Sequence, residues 1–115
     1  MTPEQRKALE AYVERVRAHY GESLHDIVVF GSRARGDQGP DSDVDLAVIL
    51  KNDDWQFWSE KLVIADLSYE ALMDAGLVVQ GWPVSLAAWQ SPVGHPQRRL
   101  IEAMKRDARA WREAA

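Results

Sequence analysis

Asp43 and Asp45 alternate with Val44 and Leu46 at the head of an apolar run, so in a strand both carboxylates leave one face, about 6.6 Å apart along it. Two carboxylates so placed can chelate a hard divalent ion. Upstream, the apolar run over 24–30 ends in Gly31-Ser32. A glycine there lets the backbone turn tightly and aim amide N–H groups outward, where they can hold phosphate oxygens. Arg33 and Arg35 follow at once and offer positive charge suited to phosphates. Turn, arginines and carboxylates lie close in sequence, so they can converge on one point. That point would take a polyphosphate bridged by metal, the layout that phosphoryl transfer needs.

Two other readings of the stretch fail on single residues. Gly31 to Gly36 has the glycine spacing of a P-loop, but Asp37 stands where Lys is required. Asp41, Asp43 and Asp45 imitate the opening of an EF-hand calcium loop, yet Leu46 fills the glycine position and Asn52 replaces the closing Glu. A third reading stays open on the residues alone: a polar connection between strands, with Ser42 and Asp43 as turn formers.

The elements that must position these groups follow from periodicity and punctuation. Thr2 can cap a helix with Pro3 at its first position and Gln5 three residues on; Leu9, Tyr12, Val13, Val16 and Tyr20 recur at helical spacing, and Gly21 stops it. Residues 24–30 and 43–50 read as strands. From Asp53 or Asp54 to Ala75 the pattern is helical, closed by Gly76. Residues 77–89 carry strand-like runs broken by Gly81-Trp82-Pro83, and a last helix opens near Pro96 and runs to about Trp111. The order α-β-β-α-β-α predicts an α/β or α+β fold: one small sheet flanked by helices, as a single domain over 1–115.

Composition narrows the partners. With 115 residues and an apolar fraction of 46%, the chain can build one modest core. It has no cysteine, which excludes thiolate metal sites and Cys nucleophiles and leaves oxygen or imidazole ligands, favouring magnesium or a similar ion. His19, His25 and His95 show no metal-ligand spacing and read as structural or surface residues. A net charge of −4 argues against a broad, sequence-independent grip on nucleic acid. No apolar run reaches the roughly 20 residues of a membrane span, and Met1-Thr2-Pro3-Glu4-Gln5 does not open a signal peptide, so the expected location is cytoplasmic.

Gly31-Ser32, ten intervening residues and Asp43-Val44-Asp45 resemble the signature of the DNA polymerase β superfamily of nucleotidyltransferases. The fuller string, Phe30-Gly31-Ser32-Arg33-Ala34-Arg35-Gly36 with Ser42-Asp43-Val44-Asp45-Leu46, is similar to its minimal nucleotidyltransferase branch, and element order fits that branch from end to end. The resemblance implies a short mixed sheet flanked by helices, in the manner of the polymerase β palm. It implies a triphosphate held by Ser32 and the amides around it, with Gly31, Arg33, Arg35 and Ser42 lining the nucleotide. It further implies two magnesium ions on Asp43 and Asp45, and transfer of a nucleotidyl group, AMP from ATP, to an acceptor hydroxyl. Many members of the branch are encoded beside a helical HEPN-type partner; in the toxin–antitoxin pairs among them the nucleotidyltransferase is the antitoxin and can adenylylate the toxin.

One position departs from the pattern. The family usually carries a third carboxylate on a later strand, and the matching stretch here reads Pro83-Val84-Ser85-Leu86-Ala87, with Ser85 where that Asp would stand. A neutral hydroxyl is neither a general base near neutral pH nor a strong magnesium ligand. This keeps an alternative in view: a catalytically degenerate module that binds nucleotide or caps a partner. No Asp or Glu lies between Gly76 and Glu102, and Asp66 on the middle helix reads as a solvated charge. Trp55 and Trp58, one turn apart around Phe57, sit on a helix whose apolar residues cover more than one face. That pattern fits either core filling or an interface, with a HEPN-type partner or a second copy of the chain as the occupant.

Overall fold

The computed structural model describes residues 1–37, 39 and 43–114. Among these residues four strands form one mixed sheet in the order β3-β2-β1-β4, flanked by helices on both faces. Helix α1 (Pro3–Tyr20) begins as expected: the Thr2 side chain accepts from the Gln5 amide while the Gln5 side chain accepts from the Thr2 amide. It buries Leu9, Tyr12, Val13 and Val16 and ends at Gly21, whose φ of 54° a residue with a Cβ adopts only at a cost.

Strand β1 (Leu24–Phe30) pairs antiparallel with β2 (Val44–Leu50), Phe30 lying opposite Asp45. Directly after the Gly31 turn comes a short helix, α2 (Ser32–Arg35). From β2 the chain crosses through α3 (Phe57–Leu67) and α4 (Tyr69–Ala75) to β3 (Val79–Ser85), which runs parallel to β2 at the edge of the sheet. A short helix α5 (Leu86–Gln90) and the amphipathic α6 (Arg98–Asp107) cover the other face. Strand β4 (Arg109–Ala110) closes the far edge against β1, antiparallel.

Alternation along β2 sorts the two cores. Val44, Leu46, Val48 and Leu50 pack with α1, Ile64 of α3 and Ala71 of α4. Ala47 and Ile49 pack on the opposite face with Val84, Ala88, Ile101 and Met104. Asp45 has the parity of Ala47 and Ile49, so the carboxylates head the α5/α6 face.

Three sequence expectations change. The helix expected from 53 or 54 to 75 starts at Phe57 and breaks at Ser68, whose hydroxyl and amide both bond to the Ala65 carbonyl, the hydroxyl at 2.6 Å. Gly81-Trp82-Pro83 does not interrupt a strand but lies within β3: as an edge strand it tolerates the missing proline N–H, and Gly81 is required because a Cβ would press on Ile64 and come within 2.7 Å of the Tyr12 hydroxyl. The last helix stops at Asp107 rather than near Trp111, because the free edge of β1 captures Arg109 and Ala110 as a strand and Trp111 turns into the core.

Candidate active site

Asp45 sits between two neighbours in the sheet, Phe30 on β1 and Gln80 on β3. Immediately after Phe30 the chain turns at Gly31 with φ of 75°, and its backbone lies so close to the carboxylate that a Cβ there would be 2.8 Å from Asp45 Oδ2. Glycine is demanded twice, by conformation and by space. Ser32 opens α2 directly beyond this contact, and the Ala34 and Arg35 amides both donate to the Gly31 carbonyl. The Gly-Ser turn and the second aspartate are therefore neighbours in space, as their spacing suggested.

On the other flank the Gln80 side-chain amide donates to Asp43 Oδ2 at 2.8 Å, joining the start of β3 to the first aspartate. The Asp45 carboxyl is pushed above its ordinary range, first by burial and then by the charge of Asp43, with Lys61 opposing both. Lys61 comes from α3, one face of the sheet away. Its ammonium donates to the Gly81 carbonyl at 2.7 Å and stands 4.3 Å from the centre of the Trp82 ring. Burial lowers the Lys61 pKa and the nearby Asp45 charge works against that.

Ser85, the expected third-carboxylate position, does not stand beside the aspartate pair. Ser85 lies opposite Leu50, at the far end of the parallel pair and about 16 Å of strand beyond Gln80. Its hydroxyl caps α5 by accepting from the Ala88 amide at 3.2 Å. Gln80 is the residue that registers with Asp45, so a neutral amide, not a serine, stands beside the pair.

The two arginines divide. Arg35 is tied to Asp107 at 2.9 Å and to Asp37 at 3.2 Å, bonding α2 to the end of α6 and away from a free phosphate-binding role in this state. Arg33 is buried, 5% exposed. Ser42 lies outside the described residues, as does Asp41. Asp66 and the three histidines are exposed, in keeping with the solvated and surface roles expected of them. Sequence reasoning missed Gln80 and Lys61; the only signal for Lys61 was a lysine amid the apolar residues of the middle helix.

Among the described residues no group of three or more His, Asp or Glu side chains gathers as a metal site. The Asp43 and Asp45 pair nonetheless suits magnesium, which takes oxygen donors, keeps several waters and is commonly held by one or two carboxylates together with substrate phosphates. At the opposite end of the sheet a cleft of about 290 Å³ is lined by Asp53, Trp55, Phe57, Ser85 and His95 among others. Trp55 is half-buried there, its indole N–H donating to the Asn52 carbonyl at 2.7 Å. Trp58 is 70% exposed, with Leu62 and Met73 also exposed on α3 and α4. Trp55, expected on the helix, precedes α3 and is half-buried, while Trp58 on α3 faces solvent.

A four-stranded mixed sheet flanked by helices, with a glycine turn pressed on the second aspartate of an Asp-x-Asp strand, is the arrangement of a nucleotidyltransferase fold. The family model described as "Nucleotidyltransferase domain" matches residues 9–90, from within α1 to the end of α5. The chain belongs to that nucleotidyltransferase domain family. A search of curated proteins finds no match to it. No helix among the described residues is long and apolar enough to cross a membrane.

Proposed function

We propose that the chain, acting as one domain over 1–115, is a magnesium-dependent enzyme that moves AMP from ATP to a hydroxyl of a partner protein in the cytoplasm. In this reading it is the antitoxin of a pair with a HEPN-type helical protein. The observation that carries the chemistry is the contact of the Gly31 turn with Asp45, which brings the Gly-Ser turn against one carboxylate of the pair. Asp43 and Asp45 would hold the magnesium, two ions in the complete site. The metal would neutralise phosphate charge and polarise the α-phosphoryl group. Gly31 and Ser32 would cradle the triphosphate, Ser42 would border it, and Arg33 and Arg35 would add charge from α2, Arg35 after leaving Asp107. Transfer forms a bond from the acceptor oxygen to the α-phosphorus as the bond to pyrophosphate breaks. Gln80 cannot take the acceptor's proton, so transfer is expected to be slow by the 10² to 10⁴ or so that general-base help supplies.

The partner is expected on the exposed apolar strip of Trp58, Leu62 and Met73. A second reading rests on Gln80: with a neutral amide beside the pair, the domain would hold nucleotide and cap its partner without transferring anything.

The deciding experiment incubates the purified protein with magnesium, α-labelled ATP and a candidate HEPN-type partner protein. Label on the partner, lost by at least about 10²-fold in the Asp43→Asn/Asp45→Asn double variant, supports transfer. Magnesium-dependent ATP binding without label supports the binding module. ATP binding that ignores both magnesium and the double substitution ends the metal-site assignment.

A further inference from the structure

We propose that Lys61 is a further nucleotide-binding residue, the cation on the β3 flank of the carboxylate pair that takes up negative charge of a triphosphate lying across Asp43 and Asp45. The inference rests on reading that pair as the nucleotide site.

The two flanks of Asp45 are built differently. Toward β1 stand the Gly31 turn and Ser32, a flank on which no side-chain cation among the described residues is placed as Lys61 is. Toward β3 stand Gln80 and, because β3 is the outer strand, whatever reaches around the sheet edge. Lys61 does so: its stem crosses from α3 and its ammonium lands on the outward Gly81 carbonyl, one residue past Gln80. The Trp82 ring holds it from the other side, on the same face as Asp45 by strand alternation. Neither contact is a carboxylate. Among the described residues Lys61 forms no ion pair, although it is partly buried and feels the charge of Asp45. A lysine that only guarded the sheet edge would be served as well by solvent. Here a positive charge is held beside the one place where an anion must approach two carboxylates, and it opposes that repulsion.

The charge makes opposite demands on metal and nucleotide, which separates this role from a structural one. Removing it should leave magnesium binding the same or up to about 3-fold tighter, and weaken the triphosphate about 10-fold. Calorimetry with magnesium chloride alone, and with α,β-methylene-ATP under saturating magnesium, reads both. The variants are Lys61→Gln, whose amide can still donate toward Gly81, and Lys61→Arg, which keeps the charge. The expected pattern is analogue affinity down about 10-fold in Lys61→Gln, within about 3-fold of the parent in Lys61→Arg, and no loss of magnesium affinity in either. Parent-like analogue binding by Lys61→Gln, or an equal loss in Lys61→Arg, overturns the proposal. Parent-like analogue binding by Asp43→Asn/Asp45→Asn overturns instead the site reading beneath it.

Discussion

The two ends of the parallel β2–β3 pair bring different groups together. Where the strands begin, Asp43, Asp45 and Gln80 meet the Gly31 turn. Where they end, Leu50 meets Ser85, and the serine starts a helix beside a cleft it lines together with Trp55 and Phe57. A serine preceded by an apolar pair reads the same in sequence wherever it falls; only register decides which end it serves. On the proposed reading the chemistry belongs to the end where a hairpin brings a glycine onto a carboxylate, and Ser85 at the other end caps a helix.

Gly31→Ala against Ser85→Ala tests that division with the largest effect. Alanine at Gly31 must hold a φ of 75° and carry a Cβ 2.8 Å from Asp45 Oδ2. A loss of about 1–3 kcal/mol in stability follows, with magnesium-dependent ATP binding reduced at least about 10-fold as the carboxylate is displaced. Ser85→Ala should cost about 1 kcal/mol through the lost cap and leave ATP binding as it was. Denaturant melts and calorimetry on both variants supply the numbers. A nucleotide defect in Ser85→Ala with none in Gly31→Ala would reverse the assignment of the two ends.

Installing charge sharpens the same contrast. Gln80→Glu adds a third carboxylate beside Asp43, and should tighten magnesium about 10-fold and speed transfer, given that carboxylates are the stronger ligands and bases. Ser85→Asp, the change the sequence alone recommends, should do neither, since aspartate is itself a good helix cap. Magnesium titrations of the two variants side by side decide it; tighter binding in Ser85→Asp alone would mean that the β2–β3 register is wrong.

The error about Ser85 shows where legibility ends. The hairpin site could be read because its parts are joined by a short connection: Gly31 follows β1 directly and Asp43 precedes β2 directly, so pairing of adjacent strands brings them together. The family match spans residues 9–90 and so includes this stretch, and the small sheet that the element order predicted is present. The third position arrives through a crossover of two helices, and its register is set by Gly81 fitting against Ile64 and Tyr12, a tertiary contact that no local pattern encodes. Lys61 is invisible for the same reason, reaching the site around a sheet edge. The split at Ser68 and the capture of Arg109 as a strand are likewise settled by hydrogen bonds formed only after the chain has folded.

The smallest effect separates the ends by pH. Burial, and then the charge of Asp43, raise the Asp45 pKa above that of the unfolded chain. A raised folded pKa means that the native state prefers the protonated acid. The stabilisation is therefore complete below the ordinary carboxylate pKa and is lost as pH rises through the folded value. At neutral pH the ionised Asp45 opposes folding, so Asp45→Asn should melt higher than the parent, on the order of 2 °C, in metal-free buffer. The gain should shrink to nothing as pH falls below about 4, where the parent's acid is neutral in both states. Magnesium should invert the order at neutral pH, raising the parent's melting temperature and leaving Asp45→Asn where it was, because the ion turns two repelling carboxylates into ligands. Ser85→Ala carries no such signature: its cost comes from a hydroxyl cap that does not titrate, and its deficit should be constant across the range. Thermal melts of the three proteins at several pH values, with and without magnesium, read the comparison directly. If Asp45→Asn instead melts below the parent at neutral pH without metal, Asp45 is held by a favourable partner rather than kept ready for a cation.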